Sequence, residues 1–209
     1  MQQSRDHIAS ATAITLAVLL FAVAGLVGGP DNFRDVAAIH SLAAERAANI
    51  GLTGRAIVIT EFGGAPGMMI ILAIAIATLA LARRWRDALS LGTIVISGRI
   101  AIELLKIVIN RPRPVFTPYP VEIVSLSFPS GHAGNSMVTF LAIAFVVAPR
   151  RWRVPAIILA VLSSVAIGAT RPLLGVHWPS DVVGGWAFGI AWVVAMVALL
   201  DRWRGAAEQ

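Results

Sequence analysis

The 209-residue chain predicts an all-α integral membrane bundle. Six transmembrane helices are expected, with an extracytoplasmic surface helix between the first and second, in a single domain covering 1–209. Three observations carry that prediction. Hydrophobic residues make up 57% of the chain and charged residues only 13%, where an ordinary soluble domain carries about 25% charge. Six long apolar runs recur, and a spanning helix needs about 20 mostly apolar residues. A basic triplet, Arg-Trp-Arg, punctuates alternate gaps between those runs. A mean hydropathy of +0.80 agrees. This composition excludes a disordered chain, a nucleic-acid-binding arm and most water-soluble enzymes. The absence of cysteine excludes disulfides and thiolate metal sites.

The runs cover 8–28, 66–82, 88–109, 130–148, 155–170 and 181–200. Ala22-Val23-Ala24 resembles a small-residue cleavage site, the mark of a signal peptide. The first run continues past it and is long enough to span, which favours a retained helix. Segment 30–64 is more polar, with Asp31, Arg34, Asp35, His40, Glu45, Arg46 and Arg55. Within it, 36–49 has apolar residues at helical spacing and reads as an amphipathic surface helix. His40 there reads as interfacial, and Met68-Met69 as lipid-facing or core filler. In the third run Arg99, Glu103 and Lys106 share one helix face. Charge inside a bilayer is costly without a partner, so Arg99 and Glu103 read as a self-neutralising pair. Pro112 and Pro114 keep that helix from continuing. The fifth run is near the lower length limit. Gly185 and Gly189 in the sixth have the spacing of close helix packing.

The triplets set the orientation. Arg84-Trp85-Arg86, Arg151-Trp152-Arg153 and Arg202-Trp203-Arg204 each follow an even-numbered run, so they share one side. Tryptophan suits the headgroup zone and arginine in short loops marks the cytoplasm. Arg5 falls on that side as well. Both termini are expected to be cytoplasmic, with 121–127 and 173–176 on the opposite face. The formal charge of +6 and pI near 11.4 are then largely an orientation signal, and no nucleic-acid partner is expected.

Arg111, Arg113 and Arg171 fall on the outer face, where that rule does not explain them. Lys106 joins them at the end of the third run. Ser130-Gly131-His132 opens the fourth run, and His177 with Asp181 opens the sixth. Even numbers of crossings return all of these to one surface. Four cations beside two histidines, a serine and an aspartate favour an anion, and phosphate is the common one that wants so much arginine. Ser130 and Gly131 open a helix, where free N–H groups and the dipole favour negative charge. His177 and Asp181 are four residues apart, so the carboxylate can hold one ring nitrogen and leave the other unprotonated. His132 is then free to protonate a departing oxygen. Arg111 reads as either a second phosphate ligand or a headgroup-facing residue. The crowded cations would repel a divalent metal from the same spot.

These residues also resemble a known family. Lys106 with Arg113-Pro114, then Pro129-Ser130-Gly131-His132, then Thr170-Arg171 with His177 and Asp181, are similar in order and spacing to the three motifs of the type 2 phosphatidic acid phosphatases. These are lipid phosphate phosphatases related to vanadium haloperoxidases. Thr170 stands where the family usually has serine. The resemblance implies a six-helix bundle in the bacterial inner membrane, with its active site on the periplasmic face. It implies His177 as nucleophile, forming a phosphohistidine, with Asp181 orienting it and His132 as general acid. Lys106, Arg113, Ser130, Gly131 and Arg171 would bind phosphate, with Thr170 and Arg111 as candidate additions, and no metal or other cofactor. The expected activity is hydrolysis of a membrane lipid phosphate or diphosphate, of the undecaprenyl diphosphate or phosphatidylglycerophosphate class. The alternatives are a lipid phosphotransferase and a catalytically silent transporter or scaffold of the same fold. The sequence is silent on oligomeric state.

Overall fold

The computed structural model describes residues 2–115, 119–121 and 125–207, and the side chains of these from 8 to 203. The side chains of Arg5 and Arg204, and residues 122–124 of the expected outer loop, lie outside the described residues. Eight α-helices occur among those described: α1 (Gln2–Val27), α2 (Phe33–Ala48), α3 (Ile50–Gly63), α4 (Ala65–Leu81), α5 (Trp85–Ile109), α6 (Gly131–Val146), α7 (Arg153–Leu173) and α8 (Pro179–Ala207). A short 3₁₀ turn, Arg150–Trp152, precedes α7.

The surface is inverted relative to a soluble protein. Leu16, Leu26, Ile107, Val108 and Leu162 are exposed, whereas Asp35, Lys106, Arg111, His177 and Asp181 are buried. A bilayer is the solvent that makes this favourable. Three described segments are long and apolar enough to cross a membrane: Ile8–Val27, Arg150–Leu173 and Pro179–Trp203. α3 and α4 together would make a fourth, bent by 47°. The 25-residue α5 is interrupted by Arg99, Glu103 and Lys106, and α6 is a shorter apolar helix of 16 residues.

α6 lies at the centre, packed on α5, α7 and α8, and α1 runs along α8. A Cβ added at Gly189 would come within 2.7 Å of the Met137 side chain, and one at Gly185 within 2.7 Å of the Ser130 carbonyl. Bare glycines at this spacing let α8 approach α6 closely. Ser136 and Ser164 share a hydrogen bond of 2.8 Å between α6 and α7. The apolar core is built around Leu91, Ile94, Met137, Val138 and Val193. Met68 is buried within the bundle and Met69 faces outward, so the pair divides between the two expected roles.

The segment between α1 and α4 differs from the expectation. Asn32 caps α2 by accepting from the Arg34 and Asp35 N–H groups. Asn49 ends α2, and its side chain accepts from Leu52 N–H to start α3. α3 was not foreseen because Arg55 and Glu61 broke its apolar run below the length of a span. It packs mainly on α7, a contact that no local pattern reveals.

Arg84 on one side of the bundle donates to the Val146 carbonyl at 2.8 Å. With Arg153 and Asp201 it lines a polar recess. The three Arg-Trp-Arg regions thus share one end of the bundle. Lys106, at the other end of α5, marks the opposite one.

Candidate active site

At that opposite end, the helix termini and two connecting loops converge. α5 carries Lys106, the 110–130 connection carries Arg113 and Ser127, α6 opens with Gly131 and His132, and α7 ends near Arg171. The short turn into α8 carries His177. Gly175 in that turn has φ +75°, a conformation glycine adopts without strain. The chain can therefore reverse and bury His177, which is 1% exposed.

One helical turn on, Asp181 is fully buried. Its Oδ2 lies 3.3 Å from His177 Nδ1 and accepts from Trp178 N–H at 2.9 Å and from the Ser127 hydroxyl. Its Oδ1 accepts from Arg111 Nη1 at 2.9 Å. With Nδ1–H donated to this carboxylate, the His177 Nε2 atom carries the lone pair. Arg113 Nη1 faces Nε2 at 3.1 Å. Burial, reinforced by Arg113, Arg171 and Lys106, pushes His177 well below its ordinary value, which favours the neutral ring.

The cations are held by partners that leave them facing inward. Arg113 donates to the Ser125 carbonyl at 2.6 Å, to the Leu126 carbonyl at 3.3 Å and to the Val176 carbonyl. Lys106 Nζ lies 3.1 Å from Ser125 Oγ and 3.5 Å from Glu103 Oε1. Arg171 donates from Nη1 to Thr60 Oγ1 at 2.7 Å, and its buried Nε has no partner among the described residues. Lys106, Arg113, Gly131, His132, Arg171 and His177 line one cavity of about 290 Å³, together with Arg99, Glu103, Ser125 and Asn135. A Cβ at position 131 would meet Lys106 Nζ at 3.1 Å, so the bare start of α6 lets the ammonium close in. His132 sits against the α3–α4 elbow, where a Cβ on Gly63 would lie 3.4 Å from its ring.

Ser130 stands at the cap of α6; its N–H donates to the Asp181 carbonyl at 3.0 Å, and its buried hydroxyl has no partner among the described residues. Thr170 turns its hydroxyl back to the Ile167 carbonyl at 2.6 Å. Arg111 is not among the cavity-lining residues and is buried rather than headgroup-facing. It donates to Asp181, to Ser180 Oγ at 3.1 Å and to the Ala24 and Gly25 carbonyls at 3.0 and 2.6 Å. Its guanidinium also lies 4.3 Å from the centre of the Phe128 ring. Arg111 thus ties α1 to α8 behind the histidine–aspartate pair. The expected Arg99–Glu103 pair is not formed among the described residues; Glu103 pairs with Lys106, one turn along α5.

Sequence reasoning missed Ser125, Ser127 and Thr60. The two serines lie just before Pro129-Ser130-Gly131-His132, and that proximity was their available signal. Thr60 had none, because α3 meets Arg171 only through tertiary packing.

These features define a membrane-type helical bundle with a buried, cation-lined cavity suited to an oxyanion. The chain belongs to the PAP2 superfamily, whose family model matches residues 87–204. It is 31% identical over 137 residues to phosphatidylglycerophosphatase B of Bacillus subtilis, covering 63% of this chain and 67% of that protein. It is 37% identical over 130 residues to the lipid A 1-phosphatase of Rhizobium etli, covering 58% of this chain and 53% of that one. The chain therefore spans about half the length of the lipid A 1-phosphatases it matches. A crystal structure of a PAP2-type phosphatidylglycerolphosphate phosphatase from Bacillus subtilis has the same fold, with a TM-score of 0.75 and 24% identity. The match covers 92% of this chain and 96% of that one.

Proposed function

We propose that the protein is a metal-independent phosphatase of membrane lipid phosphates or diphosphates that works through a phosphohistidine. The observation that carries this reading is His177, whose Nδ1 rests on Asp181 while Nε2 opens toward Lys106, Arg113 and Arg171. A phosphate in the cavity would meet three cations and the free N–H groups at the start of α6. Phosphoryl transfer asks little more of a protein than positioning and charge stabilisation.

Nε2 attacks phosphorus, a nitrogen–phosphorus bond forms, and the bond from phosphorus to the lipid oxygen breaks. His132 gives its proton to that oxygen. A water then attacks the phosphohistidine, losing its proton to His132, and inorganic phosphate leaves. Asp181 keeps His177 in the required tautomer, as the carboxylate of a catalytic triad does. Ser127, Trp178 N–H and Arg111 hold Asp181 for that task.

In the full reading, α1, the bent α3–α4 segment, α5, α6, α7 and α8 make six spans of one domain, and α2 lies on the outer membrane surface. The Arg-Trp-Arg end and both termini face the cytoplasm, and the cavity faces the periplasm of a bacterial inner membrane. The similarity to the relatives named above supports a lipid phosphate as substrate.

Purified protein in detergent, assayed for phosphate release from a panel of lipid phosphates with chelator in excess, tests the reading. Full activity is expected with chelator present, and vanadate should inhibit. Activity lost on chelation and restored by one added metal would overturn it.

A further inference from the structure

A second volume adjoins the phosphate cavity. It is an apolar groove of about 600 Å³ between α4 and α5, lined by Pro66, Met69, Ile96, Ile100, Leu104 and Ile107 among others. Ala65, Arg99 and Glu103 line both volumes. These three residues therefore stand where a lipid passes from its reacting phosphate to its tail. Ala65 is apolar and Glu103 bonds Lys106. Arg99 makes no hydrogen bond or ion pair among the described residues, although it sits ten residues, or about 15 Å, inside the outer end of α5. A charge at that depth without a protein partner points to a ligand.

We propose that Arg99 is a specificity-determining residue that binds the second phosphate of a lipid diphosphate, the one nearer the tail. The inference rests on the phosphatase reading above and narrows its substrate to diphosphates. With the terminal phosphorus at His177 Nε2 and the tail in the groove, the first group on the leaving side falls at the junction. In a monoester that group is a neutral alkoxy carbon. In a diphosphate it is an anion, and Arg99 is the cation beside it. When Nε2 takes the terminal phosphoryl group, the bridging oxygen departs as part of a lipid monophosphate, whose growing charge Arg99 offsets. Water then releases the phosphoryl group from His177, so that one diphosphate and one water give one lipid phosphate and one inorganic phosphate.

The test compares farnesyl diphosphate with farnesyl phosphate, which share a tail, on the purified protein and on Arg99→Gln and Arg99→Lys. Wild type should favour the diphosphate in kcat/KM. Arg99→Gln should lower the diphosphate-to-monophosphate ratio by about tenfold or more, the scale of a lost charged hydrogen bond, and Arg99→Lys should restore part of it. An unchanged ratio, through equal loss on both substrates or no loss, would overturn the role of Arg99 while leaving the phosphatase reading intact. No phosphate released from either substrate by wild type would remove both. A measurement that needs no variant guards against misfolding. Inorganic diphosphate should inhibit wild-type turnover of an aryl phosphate about tenfold more strongly than inorganic phosphate; equal inhibition would overturn the proposal.

Discussion

Replacing Arg111 by methionine separates a structural arginine from a phosphate ligand. Its side chain is 6% exposed and joins four acceptors on two helices: Asp181 and Ser180 on α8, and Ala24 and Gly25 on α1. Methionine keeps much of the length and packing and removes every donor. Asp181 Oδ1 then loses its cation inside the bundle, and removing one partner of a buried pair costs about 3–5 kcal/mol. The Ala24 and Gly25 carbonyls of α1 lose the arginine as a donor as well, and Ala24 keeps Gly28 N–H. Total stabilities of about 5–15 kcal/mol make this a large fraction. Unfolding of wild type and Arg111→Met in detergent, followed by helical signal against denaturant, should show a loss in that range. The inhibition constant for inorganic phosphate, measured on the folded fraction, should change much less than in Arg113→Met, whose guanidinium faces His177 Nε2. A loss under about 1 kcal/mol together with a phosphate affinity as weakened as in Arg113→Met would refute the reasoning and make Arg111 a phosphate ligand.

The two histidines should separate by leaving group. His177→Ala should be inactive on lipid phosphomonoesters and on activated aryl phosphates alike. His132→Ala should lose about 10²–10⁴-fold on the monoester and recover in part on the aryl phosphate, whose leaving oxygen needs little protonation; equal recovery of both variants would show the roles misassigned. For pH, the His177 proton affinity is lower in the folded protein than its unfolded value near 6.5. The unfolded chain therefore takes up the proton first, and stability should fall as pH drops below about 6.5 toward the lowered folded value. Melting temperatures of wild type and His177→Gln across that range should show a shallower acid slope in the variant, and identical slopes would count against a neutral, buried His177.

The membrane character and most helix positions were legible because a bilayer imposes long apolar runs that composition cannot hide. The main residues of the site were legible too, because Lys106, Arg113, His132, Arg171 and His177, and Asp181 behind the histidine, are chemistry-bearing types in a medium that penalises each of them. Their neighbours were not. Arg111 looked equivalent to Arg113 along the chain. Only the packing of α1 against α8, which places the Ala24 and Gly25 carbonyls beside it, turns it away from the cavity and onto the back of Asp181. Glu103 had two cations within reach on one helix face, and the fold selected Lys106 over Arg99. α3 was hidden by its own charges, and its contact with α7 decided that Thr60 would hold Arg171. Local sequence determines which residues are costly to bury, because that cost belongs to the residue and its solvent. For Arg111 and Arg171, which partner relieves the cost is a property of distance between segments remote in the chain, and only the assembled bundle sets it.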